Sequence, residues 1–184
     1  MFKDDFSSST SGWDRFKSAE GTMDYDGGAF RILVNGLQTD FRSAPHKKFG
    51  DVRIEADAGK IAGPDENRIG LICRYTGVQY YFFVISSDGY YGIGAFVNNQ
   101  GILLGQDQMQ FSGKIKTGTA VNHLRADCKG DTLTFFVNGS QLAQVQNSTL
   151  KQGDVGLLLE TWKTVFVLLE YRQGGANVTA QRPS

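Results

Sequence analysis

The chain has 184 residues, 40% of them hydrophobic and 21% charged, with 19 basic and 19 acidic side chains. That length suits one domain with a sizeable core, and the zero net charge removes the electrostatic case for a nucleic-acid or anionic-membrane partner. No apolar run is long enough to insert in a membrane, and Phe2-Lys3-Asp4-Asp5-Phe6 lacks the apolar stretch of a signal peptide, which fits either a cytoplasmic protein or a domain of a larger exported one.

Helical periodicity is nearly absent, and turn signals recur at short spacing from Ser11-Gly12 and Asp26-Gly27-Gly28 onward. Short runs between such turns predict a β-sandwich or barrel. The first clear strand is 51–57, where Val52, Ile54 and Ala56 alternate with Arg53, Glu55 and Asp57 before a turn at Ala58-Gly59. After the polar loop Pro64-Asp65-Glu66-Asn67 comes 69–96, three strands joined at Thr76-Gly77-Val78 and Ser87-Asp88-Gly89. It is crowded with Tyr75, Tyr80, Tyr81, Phe82, Phe83, Tyr90, Tyr91 and Phe96. Successive strand residues face opposite ways, so one core cannot take them all and some line a second surface. Strands at 122–128 and 132–137 continue as a meander through the Asn138-Gly139 hairpin. The last strands are 154–160 and 165–171, and a polar tail from Gly174 to Ser184 is expected to be loose at its end.

Cys73 and Cys128 fall at apolar positions of two strands. The plain expectation is two buried thiols packing as small hydrophobes, with a disulfide between strands as the alternative; no Cys/His spacing suggests zinc.

The order of motifs resembles a known superfamily. It runs from Phe2-Lys3-Asp4-Asp5-Phe6 and Ser11-Gly12-Trp13 through Gly28-Ala29-Phe30-Arg31-Ile32, Asp51 to Ala56, Ile69 to Tyr75, Tyr80 to Val84, Asn122 to Ala126 and Leu133 to Gly139, to Gly153-Asp154-Val155-Gly156-Leu157. This resembles the concanavalin A-like lectin/glucanase superfamily, in its laminin-G-like and 3-keto-disaccharide hydrolase-like bacterial branch. The resemblance covers roughly 1–172 and implies an all-β jelly-roll sandwich of two curved antiparallel sheets over 1–173. It also implies a glycan site on the concave sheet, and an extracytoplasmic or cell-surface setting.

Four kinds of site are weighed against these residues. Glycoside hydrolysis needs paired carboxylates; glucanases of the superfamily use Glu-x-Asp-x-(x)-Glu, and Glu55-Ala56-Asp57 matches only its start, since Ala58, Gly59 and Lys60 follow. Glu160 is a further acidic candidate, and the competing reading pairs Glu55 or Asp57 with Arg74 across strands. Sugar rings stack on aromatics, which favours Trp162, then Tyr75, Tyr81 and Tyr90, with Arg74, Glu55 and Glu160 as hydrogen-bonding groups. Trp13 is assigned to the core, and Phe136 is either covered or a contact surface. Asp24, Asp26 and Asp65 are the candidates for Ca²⁺; no other cofactor is expected. Neither His46 nor His123 sits in a nucleophile context. The leading expectation is a non-catalytic carbohydrate-binding module. The alternative is a protein-interaction or structural module of a larger or self-associating assembly, anchored on Phe136 or Tyr90-Tyr91, and the third is a glycoside-cleaving enzyme.

Overall fold

A computed structural model describes residues 2–35, 40–161, 167–172 and 178–183. Among these residues there is no helix. The strands are β1 (Phe2–Asp4), β2 (Phe16–Ser18), β3 (Gly21–Tyr25), β4 (Ala29–Val34), β5 (Asp40–Ser43) and β6 (Val52–Ala62). Then come β7 (Arg68–Tyr75), β8 (Tyr80–Ser86), β9 (Tyr90–Val97), β10 (Gln100–Leu103), β11 (Gln110–Phe111) and β12 (Asn122–Lys129). The last are β13 (Thr132–Val137), β14 (Ser140–Gln146), β15 (Asp154–Glu160), β16 (Val167–Arg172) and β17 (Val178–Gln181).

They form two antiparallel sheets. The larger, ten-stranded one runs β14-β13-β12-β6-β16-β4-β3-β2, with β17 pairing both β6 and β1. The other, seven-stranded one runs β10-β9-β8-β7-β15-β5, with β11 beside β9. The expected turn at Ala58-Gly59 is not one: β6 continues to Ala62, and its length lets one edge pair first with β17 and then with β16. Within the polar tail, Val178–Gln181 forms β17, and Ala180 is fully buried in the core. Asn138 and Gly139 both take left-handed backbone, as a two-residue hairpin requires.

Alternation assigns the faces. Val52, Ile54 and Ala56 of β6 and Leu124, Ala126 and Cys128 of β12 meet Leu71 and Cys73 of β7, Tyr81, Phe83 and Ile85 of β8, and Leu157 and Leu159 of β15 in one core between the sheets. Trp13 belongs to it, and its indole N–H donates to the Asp4 carboxylate at 2.7 Å. Cys73 and Cys128 are not free thiols: they are joined in a disulfide that ties β7 to β12, one strand from each sheet. Their side chains enter the same core from opposite sheets, which is why two apolar positions 55 residues apart could meet.

Arg74 breaks the alternation. Its φ is +54°, and β15 skips register opposite it, pairing Val155 with Cys73 and Asp154 with Tyr75. This bulge turns the guanidinium inward, where it donates to the carbonyls of Leu150 at 2.5 Å and Gly130 at 2.6 Å, with Asp51 3.5 Å away. Arg74 therefore pins two loops and pairs with neither Glu55 nor Asp57, contrary to expectation.

Candidate functional site

The outward residues of the seven-stranded sheet form a second cluster. Ile72, Tyr80, Phe82, Val84 and Leu158 pack there with Tyr75, Phe96, Leu103 and Met109. The aromatic surplus of 69–96 thus divides by parity, with Tyr81 and Phe83 inward and Tyr80 and Phe82 outward. Glycine makes room for this layer: a Cβ on Gly94 would lie 2.0 Å from the Phe82 ring.

Strand register sets a polar row at one end of this face. Asp40 of β5 stands opposite Glu160 of β15, Glu160 opposite Arg68 of β7, and Arg68 opposite Ser86 of β8. Arg68 Nη1 lies 3.2 Å from Glu160 Oε2, and the two side chains are only 22% and 13% exposed. Arg42, two residues along β5 from Asp40, reaches across the sheet. Its guanidinium donates to the Tyr80 hydroxyl at 3.1 Å and lies 5.2 Å from the Tyr80 ring centre. Tyr80 in turn stacks on Phe96 with centres 5.2 Å apart and planes 9° apart, and meets Tyr75 edge-on at 5.8 Å.

Between the polar row and the 101–107 segment lies a cavity of about 710 Å³. Asp40, Arg68, Glu160 and Thr161 line one part, Gln106 and Asp107 another, and Phe82, Phe96, Ile102 and Leu103 supply the apolar part. Burial pushes the Glu160 carboxyl above its ordinary range, the Asp40 charge adds to the push, and Arg68 and Arg42 oppose it. Burial also raises Asp40, against the same two arginines. The Tyr80 hydroxyl is pushed up to about 12, again by burial, with Arg42 opposing. Carboxylates accept hydrogen bonds, guanidinium groups donate them, and aromatic faces take apolar ones. The cavity therefore offers both polar senses beside an apolar wall.

A raised carboxyl has a stability consequence. The native state holds the Glu160 proton more tightly than the unfolded chain does, so stability falls as pH rises from the ordinary carboxylate range through the raised one. Glu160→Gln is expected to raise the melting temperature at neutral pH, with the gain vanishing below the ordinary carboxylate range. Thermal melts of both proteins across pH check this; a variant less stable than the parent at neutral pH would contradict it.

The sequence-predicted residues separate. Glu160 and Tyr75 lie on this face, and Tyr90 lies at its rim, exposed and edge-on to Phe111. Tyr81 is a core residue whose hydroxyl donates to Asn147 Oδ1 at 2.6 Å and accepts from the Leu150 amide. Arg74 is buried elsewhere, as described. Glu55 and Asp57 lie on the outer face of the other sheet, beside Arg125 at 3.8 Å and His123 at 2.7 Å, so they cannot act with Glu160 in one cleft. Trp162 falls outside the described residues. Phe136 is partly covered by the Arg125 guanidinium, 4.2 Å from its ring centre, and Tyr91 packs against the core, while Tyr90 stays exposed. Asp24, Asp26 and Asp65 are engaged by Arg15, Arg31 and Lys60, and among the described residues no three His, Cys, Asp or Glu groups converge as a metal site. His46 pairs with Asp14 in an exposed loop.

Sequence reasoning missed Asp40, Arg42, Arg68, Phe82 and Phe96 as site residues. A usable signal existed in Asp40-Phe41-Arg42-Ser43, where Phe41 and Ser43 turn inward and the two charges turn out.

No protein-family model matches the sequence, and no curated relative does. Solved structures do resemble the fold. The carbohydrate binding module CBM66 from Bacillus subtilis superposes with a TM-score of 0.71 at 15% identity, over 93% of this chain and 96% of that one. A Bacillus licheniformis beta-glucanase gives 0.65 at 11% identity, over 93% and 94%. A prokaryotic beta-1,3-1,4-glucanase (lichenase) derived from a mouse hindgut metagenome gives 0.66 at 8%, over 92% and 95%. At these identities the likeness is one of architecture, and the architecture is the concanavalin A-like jelly roll.

Proposed function

We propose that this concanavalin A-like jelly roll is a non-catalytic carbohydrate-binding module whose site is the groove on the outer face of the seven-stranded sheet. The observation that carries the reading is the cross-strand row Asp40–Glu160–Arg68 set beside the apolar wall of Phe82, Phe96, Ile102 and Leu103 in one cavity. A sugar ring presents the complementary pair of surfaces: hydroxyls that donate and accept, and a CH face that packs on rings. Carbohydrate binding by one structural neighbour, CBM66, supports the reading by analogy. An exported or cell-surface setting accords with the disulfide, since such bonds persist in oxidising compartments.

Hydrolysis is the second reading, favoured by two carboxyls with raised proton affinity in one groove. Binding is preferred because Asp40 and Glu160 arrive singly on different strands, and the Glu-x-Asp pair of β6 lies on the opposite face.

The test is a glycan array followed by calorimetry on the best hit. Glu160→Ala is expected to weaken binding about 10- to 100-fold, since a hydrogen bond to a charged group is worth about 1.5–3 kcal/mol. Glu55→Ala is expected to leave binding unchanged. An array without hits, or equal losses for both variants, would overturn the proposal, and release of reducing sugar that stops in Glu160→Gln would replace it with the hydrolase reading.

A further inference from the structure

Tyr90 and Phe111 form an exposed aromatic pair that the core does not explain. They are 41% and 63% exposed, yet they are held in place. Phe111 pairs with Tyr90 in strand register, and their rings meet edge to face with centres 5.7 Å apart. The Phe111 ring lies on Gly89, where a Cβ would come within 2.8 Å of it; Gly89 also has a φ of +99°, so glycine serves both the turn and the contact. A hydrophobic ring pinned in an exposed position is a shelf without an occupant in the core.

Its place in the sheet indicates the occupant. Tyr90 follows the Ser87–Gly89 turn, its amide bonds Ser86 Oγ at 3.3 Å, and Ser86 stands opposite Arg68 in the polar row. The shelf therefore continues the row that begins at Asp40: Tyr90 on β9 stands four strand spacings from Asp40, about 19 Å, and Phe111 on β11 five. A disaccharide whose rings sit at Asp40 and Glu160 falls short of Tyr90, three strand spacings beyond Glu160.

We infer that Tyr90 and Phe111 form a distal stacking subsite for a later ring of the same glycan chain whose first ring occupies the Asp40–Glu160–Arg68 groove, so that the module selects extended oligosaccharides over short ones. This rests on the reading of the groove given above. The chemistry required of the ligand is an apolar CH face on a ring several units along the chain, because the shelf offers stacking surface while the groove provides the charges.

The experiment titrates β-1,3-1,4-linked gluco-oligosaccharides, from disaccharide to hexasaccharide, into the parent protein, Phe111→Ala and the control Val121→Ala. Val121 is also exposed, at 42%, but packs on Gly59 of the other sheet. The parent and the control are expected to bind the longest chain about five- to tenfold more tightly than the shortest. In Phe111→Ala that advantage is expected to vanish while affinity for the disaccharide is unchanged. Length-independent binding by the parent, or a Phe111→Ala loss equal at every length, removes the distal subsite and leaves the groove standing. No binding by the parent to these chains at any length removes the distal subsite for them, while the groove stands or falls with the array.

Discussion

Replacing Cys73 and Cys128 together by alanine is expected to lower the unfolding free energy by about 2–4 kcal/mol. The bond closes a loop of 55 residues, and the chain-entropy model assigns a loop of that size about 4 kcal/mol of constraint on the unfolded chain. It also joins the two sheets through the middle of their shared core, with both cysteines fully buried. Guanidinium unfolding of the oxidised protein, the same protein with a thiol reductant, and the double variant gives the measurement. The midpoint should fall to a similar value in the last two. Coincident midpoints for all three would show that the crosslink contributes nothing. Because the sulfurs lie inside the sandwich, reduction is expected to require opening of the sheets and to be slow under native conditions.

Arg74→Met should cost a similar amount, about 2–5 kcal/mol, because a buried acceptor left without its donor costs about 1–3 kcal/mol and two carbonyls lose theirs. Methionine fills a similar volume but donates nothing, and it leaves the carbonyls of Leu150 and Gly130 without their guanidinium donor. Lysine is a poor substitute, because one ammonium cannot reproduce a planar fork aimed at two carbonyls. Denaturant unfolding of both variants reads the effect, and a loss below about 1 kcal/mol in Arg74→Met would refute this account of the bulge. Once folded at low temperature, Arg74→Met is expected to give the same glycan-array profile as the parent, which separates the structural role of Arg74 from the ligand-binding role that sequence reasoning gave it.

The two residue types that misled and succeeded differ in one physical respect. Alternation was readable wherever a strand keeps regular backbone, so Val52, Ile54 and Ala56, Leu124, Ala126 and Cys128, and Leu133, Phe135 and Val137 face the core as expected. It fails at Arg74, because a left-handed residue at a bulge reverses the side without any mark in the local pattern. The same limit explains Glu55 and Glu160. Each is an outward acid on an alternating strand, but only long-range pairing decides that β6 joins β12 while β15 joins β7, on opposite sheets. Tyr80 and Tyr81 show the limit most simply: either could be the outward one until the register of β8 is known. β17 was unreadable for another reason. A four-residue strand, Val178-Thr179-Ala180-Gln181, carries too little apolar pattern to stand out from a tail.

The pairing of β1 with β17 also fixes how the domain would bear tension. The rung Phe2↔Ala180 lies at the outer end of that ladder and Asp4↔Val178 at its inner end, so the two chain ends leave from the same side. A pull between them would part the rungs one after another, as a zipper opens, instead of loading them together in shear. Extension could then proceed inward through the strands at modest force, but it would stop short of the full contour, because the segment bounded by Cys73 and Cys128 is stapled shut and would pass the load across its sulfur bridge.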